Sequence, residues 1–103
     1  MKRAKVYIDG VPAGELQELK RGTQYRFVYA SDYTGSSISL TMPTTRLVYE
    51  FDRFPPFFEG LLPEGFMLEA LLRLAKIDRN DLFTQLVTVG AELVGNVTVE
   101  RIP

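Results

Sequence analysis

The sequence has 103 residues, of which 46% are hydrophobic and 24% charged, and its formal net charge is −1. These values exclude a disordered or fibrous chain, and they argue against direct nucleic-acid binding, because phosphate backbones attract a strongly basic surface. The sequence contains neither Cys nor His, which excludes disulfides, thiol chemistry, histidine-dependent triads and the usual zinc sites. The length predicts a single domain over residues 1–103.

The first ten residues, MKRAKVYIDG, have a basic start but lack the apolar run of a signal peptide or a membrane span. A chain without cysteine also fits a reducing compartment. We therefore expect a cytoplasmic protein that does not contact a membrane.

Two turns divide the first thirty residues into three predicted strands. Asp9-Gly10 favours a hairpin turn because both residue types readily adopt positive φ, and Lys-Arg-Gly at 20–22 supplies a second turn. Tyr25, Phe27 and Tyr29 then recur with a period of two, which places three aromatic rings on one sheet face. We expect that face to belong to the core.

A fourth strand is predicted at residues 38–42. Ile38, Leu40 and Met42 alternate there with polar residues, as expected for a strand with one buried face. Pro43 ends the run because proline cannot donate a hydrogen bond to a neighbouring strand.

Val97 and Val99 indicate a last short strand that returns to the sheet. Residues 4–50 are therefore expected to be rich in strands, residues 55–90 to be helical, and residues 95–102 to form the terminal strand. The predicted fold class is α+β, a small and mostly antiparallel sheet of about five strands packed against two to three helices.

Three helices are predicted in the second half of the chain. The first is short and follows Pro56, with apolar residues at Phe57, Phe58, Leu61 and Leu62. The second runs from Pro63 to about Ile77. The third is capped by residues 78–81 and ends at Gly90.

The second helix is apolar around most of its circumference. Its polar residues, Glu69, Arg73 and Lys76, share one stripe. We expect the opposite side to cover the sheet, through Leu68, Leu71, Leu72 and Ala75.

The sequence offers little catalytic equipment. Gly60 and Gly65 have the outer spacing of a phosphate-binding loop, but Phe66 follows where that loop requires lysine. Paired carboxylates occur only at helix starts or on a polar stripe, where they serve helix caps and dipoles. These pairs are Glu64 with Glu69 and Asp78 with Asp81. We expect no catalytic residue, no cofactor and no metal, so a small hydrolase or isomerase is disfavoured.

Phe66 and Met67 stand at the start of the second helix, away from its centre, in a stretch with four Phe and three Pro between residues 54 and 72. They can pack on the first helix or on the Leu61-Leu62 turn as part of the core, since apolar stripes usually do. They can instead anchor an interface, since aromatic residues dominate binding hot spots. The candidate partner-binding residues are Leu61, Leu62, Glu64, Gly65, Phe66 and Met67.

Three segments carry a resemblance to a known family. They are VYIDGVPAGEL (6–16), FFEGLLPEGFMLEALL (57–72) and LVGNVTVERIP (93–103). Together they resemble the N-terminal subdomain of HipA-type toxin kinases, also called the HipA couple domain, almost from end to end. The specific motif is F-F-[DE]-[GN]-L-L-P-[ED], at residues 57–64. The closing motif V-G-[AD]-V departs mildly at Asn96.

The resemblance implies a function without catalysis. HipA kinases continue with a phosphate-binding loop, a catalytic Asp and metal ligands, which have no counterpart here. The chain is therefore similar to HipS-like proteins of three-component HipBST systems, which neutralise a shortened kinase, HipT. The implied partners are a HipT-like kinase toxin and, in a ternary complex, a HipB-like DNA-binding protein. The alternatives are a structural subunit that completes the kinase without inhibiting it, or a remnant fragment of a HipA kinase.

Overall fold

The computed structural model describes residues 1–93 and 95–103. In chain order, they form strands β1 (Lys2–Ile8), β2 (Val11–Lys20), β3 (Gln24–Tyr29) and β4 (Val48–Phe51), helices α1 (Pro56–Glu59), α2 (Gly65–Ala75) and α3 (Leu82–Val89), and strand β5 (Val97–Ile102). The five strands build one antiparallel sheet in the order β4-β3-β2-β1-β5. The predicted α+β fold is confirmed. Val94, which opens the predicted closing motif, lies outside the described residues.

Both predicted turns in the first thirty residues are confirmed. Asp9 and Gly10 have φ values of 51° and 78°, the left-handed values that a two-residue hairpin needs. The Thr23 N–H donates to the Lys20 carbonyl at 3.1 Å. These turns set β1, β2 and β3 side by side, with Leu16 opposite both Ala4 and Phe27.

One face of the sheet, two of the helices and parts of the connecting segments form the core. The rings of Tyr25, Phe27 and Tyr29 are buried on this face, as predicted. Phe58 of α1 lies with its ring centroid 5.7 Å from that of Phe27. Other members of the core are Ala4, Val6, Ile8, Ala13, Leu16, Ile38, Met42, Phe54, Phe83, Leu86, Val97 and Val99.

The predicted strand at residues 38–42 is wrong, and the fourth strand is β4 instead. The Met42 N–H donates to the Ser39 carbonyl at 3.2 Å, which closes a tight turn. Leu40 stands at the tip of this turn and is 100% exposed.

Tyr29 explains why the two ends of that turn are buried. Its hydroxyl accepts a hydrogen bond from the Ile38 N–H at 2.8 Å and donates one to the Met42 carbonyl. Burial raises the pKa of Tyr29, so the hydroxyl remains a donor at neutral pH. The apolar period of two therefore reflects a turn held at both ends by one buried hydroxyl.

The predicted helices are present with changed bounds. α1 ends at Glu59, so Leu61 and Leu62 lie in the turn that follows it. α2 begins at Gly65 instead of Pro63 and ends at Ala75, because Lys76 takes a left-handed conformation with φ 56°. A left-handed residue at this position stops an α-helix.

The prediction that α2 covers the sheet is wrong. None of its residues 65–75 is buried, including the four apolar residues assigned to the sheet, Leu68, Leu71, Leu72 and Ala75. The physical reason is that α1, α3 and the turn at residues 38–42 already fill the inner face with buried side chains. α2 therefore lies at the periphery, and much of its apolar surface remains accessible.

α3 packs against the core and against the edge strand. Phe83 and Leu86 are fully buried. At the end of the helix, the Gly90 carbonyl accepts a hydrogen bond from the Val99 N–H at 2.9 Å. A Cβ atom at Gly90 would lie 1.9 Å from the Val99 carbonyl oxygen, so only glycine allows this approach. Gly90 thus ends α3, as predicted, and joins it to β5.

Asp81 caps α3, as predicted. Its carboxylate accepts hydrogen bonds from the Thr84 N–H at 3.1 Å and the Thr84 hydroxyl at 2.7 Å, and the Lys2 ammonium lies 3.9 Å away. Burial alone raises the pKa of Asp81, but the Thr84 hydrogen bonds and the charges of Lys2 and Arg21 outweigh it and lower the pKa overall. The charged carboxylate therefore stabilises the fold.

Replacing Asp81 by alanine is expected to lower the free energy of unfolding by about 1 kcal/mol at pH 7. Because the pKa is lower in the folded state, the contribution of Asp81 is complete above the ordinary pKa of 3.8 and declines as the pH falls through the folded-state value. Urea unfolding of both proteins between neutral and strongly acid pH measures this. A difference that stays constant across the series would contradict it.

Candidate partner-binding surface

The family-like motif at residues 57–64 positions the candidate site. Pro56 occupies the first position of α1, where its missing N–H costs nothing, and the Phe58 ring is fully buried. Leu61 and Leu62 then donate to the carbonyls of Phe58 and Glu59, both at 3.1 Å. The turn is thus fixed to the core at one end, and its two leucines are half-buried against that core.

The start of α2 follows directly from this turn. Pro63 precedes Glu64, which is extended with φ −125° and ψ 162°. Gly65 has φ +56°, a value that favours glycine and redirects the chain into the helix. Phe66 and Met67 therefore lie on the first turn of α2, next to a rigid entry.

The side chains of this first turn point into solvent. Phe66 is 86% exposed and Met67 is 67% exposed, and Leu74 at the other end of α2 is 79% exposed. Phe66 is therefore not part of the core, which removes one of the two interpretations of this residue. Large apolar groups gathered on one helix of a small protein typically mark an interaction site.

A groove lies beside these residues, between α2 on one side and the turn after α1 and the end of α3 on the other. We call it the apolar groove. Its volume is about 720 Å³, and it is lined by Gly60, Leu61, Leu62, Pro63, Glu64, Met67, Ala70, Leu71, Leu74, Val89, Glu92 and Leu93. Leu61, Leu62, Glu64 and Met67 of the sequence-based candidates come together here. Phe66 does not line the groove, and it projects into solvent as described.

An ion pair connects α2 to the segment before α3. Nη2 of Arg79 donates to both carboxylate oxygens of Glu69, at 2.6 and 2.7 Å. This hydrogen bonding lowers the pKa of Glu69 and raises that of Arg79. Both side chains are exposed, so water screens the pair and its contribution to stability is small. The pair is a direct contact between α2, a helix that contributes no buried side chain, and the segment before α3.

Sequence reasoning missed the far half of the groove, formed by Leu74, Val89 and Leu93. A signal was present: Met67, Ala70, Leu71 and Leu74 recur at i, i+3, i+4 and i+7, which places them on one helical face. The assignment of the neighbouring leucines to the sheet concealed this face.

The described residues do not form a metal site. Over residues 1–93 and 95–103, His, Cys, Asp and Glu side chains never gather in groups of three or more that could hold an ion. In the same residues, every helix is too short or too polar to cross a bilayer. The site itself consists of apolar surface and a few exposed charges.

Comparison with known proteins shows the family. The HipA N-terminal domain model matches residues 4–100. An uncharacterized protein of Haemophilus influenzae is 31% identical over 101 residues, which cover 98% of this chain and 93% of that protein. A solved structure described as the N-terminal domain of HipA toxin superposes with a TM-score of 0.78 at 28% identity, covering 100% of this chain and 94% of that one. The chain belongs to the HipA N-terminal domain family.

Proposed function

We propose that this protein is a non-catalytic antitoxin that binds and neutralises a shortened HipA-like serine/threonine kinase of the HipT type. The observation that carries the proposal is the cluster of exposed apolar side chains on α2, led by Phe66 at 86% exposure, in a module of the HipA N-terminal domain family. A small domain that leaves such a surface open gains from a partner that covers it.

Phe66 and Met67 are the proposed contact residues. We place them in a cleft of the kinase near its active site, with Leu61 and Leu62 supporting the segment from the core side. Pro63 and the ordered turn at residues 60–64 restrict the backbone, so binding orders few additional bonds. Glu64 and Gly65 shape the entry to this projecting segment.

Neutralisation by binding agrees with the chemistry of the chain. The sequence has no His and no Cys, and Phe66 stands where a phosphate-binding loop would need its lysine. These absences disfavour modification of the kinase by this protein. Inhibition through occupation of a cleft needs only shape and apolar contact.

The first experiment is size-exclusion chromatography of the purified chain with a cognate shortened kinase. We expect one peak that contains both proteins, since a stable pair buries on the order of 1,000 Å² or more. Separate elution at micromolar concentrations would contradict partner binding. Adding the HipB-like protein to the same run tests whether a ternary complex forms.

A second experiment separates inhibition from structural support. Co-expression of this chain is expected to relieve the growth arrest that the kinase causes, and the purified complex is expected to show less autophosphorylation than the free kinase. The family match to a part of HipA favours one other candidate, a subunit that completes the kinase fold. A stable complex as active as the free kinase would support that candidate and contradict the antitoxin.

A further inference from the structure

The apolar groove has two walls that consist mainly of aliphatic side chains. One wall is the α2 face that carries Met67, Leu71 and Leu74, and the other contains Val89 and Leu93. These side chains are half-buried or exposed, so the groove is open to a partner. The α2 face spans seven residue steps, which is about 10 Å of helix or two turns.

Among the described residues, two of those that line the groove are charged, and both are acidic. Glu64 lies at the start of α2 and Glu92 lies after α3, and both are exposed. Within residues 1–93 and 95–103, neither carboxylate has a Lys or Arg nitrogen within 4.0 Å. The groove therefore combines two apolar walls with two carboxylates that are not engaged in ion pairs in the described part of the chain.

We propose that the apolar groove binds a short amphipathic helix of the kinase, one that carries apolar side chains at i, i+3 or i+4 and a flanking Lys or Arg. The identification of the partner as the kinase rests on the proposed function. A groove two helical turns long fits the apolar face of a helix, and the basic side chain pairs with Glu64 or Glu92. The contact is then two-way, because Phe66 enters the kinase while the groove receives a kinase segment.

A second copy of this chain is a poorer occupant of the groove. In a two-fold dimer built on this face, the same surface patch meets itself. The carboxylates of Glu64 and Glu92 from both copies would then approach one another, and like charges at an interface are unfavourable. A partner with a basic side chain removes this repulsion.

The test uses the complex with the cognate shortened kinase and the double variant Glu64→Gln/Glu92→Gln. We expect about threefold weaker binding at low salt, because the exposed charge pair between the groove and the kinase helix is lost, and a smaller dependence of affinity on salt concentration. The matched control is Asp52→Asn/Glu100→Gln, which removes two exposed carboxylates that do not line the groove. Titration calorimetry at low and high salt measures both variants.

A second variant tests the apolar wall that α2 forms. Leu74→Ala is expected to weaken the same complex about tenfold, since truncation of a large apolar side chain that becomes buried in an interface has effects of this size. Leu74 is 79% exposed in the free chain, so the change leaves the fold intact, which circular dichroism verifies.

The outcomes are distinguishable. Wild-type binding that neither variant changes would overturn the groove inference and leave the proposed function standing. Equal losses from the groove variant and its control would show general charge attraction and would also overturn it. Failure of the wild-type chain to bind the kinase would overturn the proposed function itself. Sedimentation of the chain alone shows whether it forms a dimer. A dimer that Leu74→Ala abolishes would identify a second copy of the chain as the occupant of the groove, and this result too would overturn the inference.

Discussion

Replacing Phe66 by alanine is expected to weaken binding to the kinase by about 2 kcal/mol or more, which is roughly a 30-fold loss of affinity. The ring is 86% exposed in the free protein and stands on a helix entered through a rigid turn. Its burial in a partner would therefore remove a large apolar area from water at little entropic cost. Calorimetry or biolayer interferometry with the shortened kinase measures the change.

The same substitution is expected to leave the free energy of unfolding within about 0.5 kcal/mol of the wild-type value, as for exposed positions in general. Leu40→Ala is the matched control, because Leu40 is also exposed, at 100%, but lies on the turn between β3 and β4. Normal kinase binding by a folded Phe66→Ala variant would end the contact hypothesis. An equal loss with Leu40→Ala would show that the effect is not specific to α2.

Replacing Phe58 by alanine is expected to lower the free energy of unfolding by about 3–5 kcal/mol. Phe58 is 0% exposed, and its ring lies 5.2 Å from that of Phe57 and 5.7 Å from that of Phe27, measured between centroids. The alanine would leave a cavity between α1 and the sheet. For a domain of this size the melting temperature should fall by on the order of 15 °C.

The two phenylalanine variants form a matched pair, because the chemical change is identical and only burial differs. Phe58→Ala should lose stability, whereas Phe66→Ala should lose affinity. Thermal melts and kinase titrations on both proteins complete the comparison. A Phe58→Ala protein as stable as the wild type would contradict the position of α1 on the sheet.

Local patterns in the sequence predict much of this fold. The Asp9-Gly10 turn, the aromatic alternation of β3 and the cap at Asp81 each depend on neighbouring residues, so they can be read from the chain. The segment at residues 38–42 could not be predicted in this way. Ile38 and Met42 lie at the two ends of a turn that is held by hydrogen bonds to the hydroxyl of Tyr29, and no local pattern contains these contacts.

The candidate site also has one part that local patterns predict and another that they do not. Phe66 and Met67 could be named as candidate contact residues because their position at the helix start sets them apart from its centre. The groove depends on where α2 lies in space, and α2 lies away from the sheet because other elements already fill the inner face. The apolar content of a sequence does not predict which of several apolar faces is buried when the core of a small domain cannot include them all.

The position of β5 in the sheet has a consequence for how the protein folds. β1 pairs with β2 through a two-residue turn, but its other edge pairs with β5, with Arg3 opposite Ile102. The first hairpins can therefore form early from local contacts, whereas the last strand must find its place across almost the whole chain, a slow type of contact. During synthesis, the outer edge of β1 remains unpaired until residues 97–102 have left the ribosome. An unpaired strand edge is a site of intermolecular pairing, so the outer edge of β1 can pair with other chains during that interval.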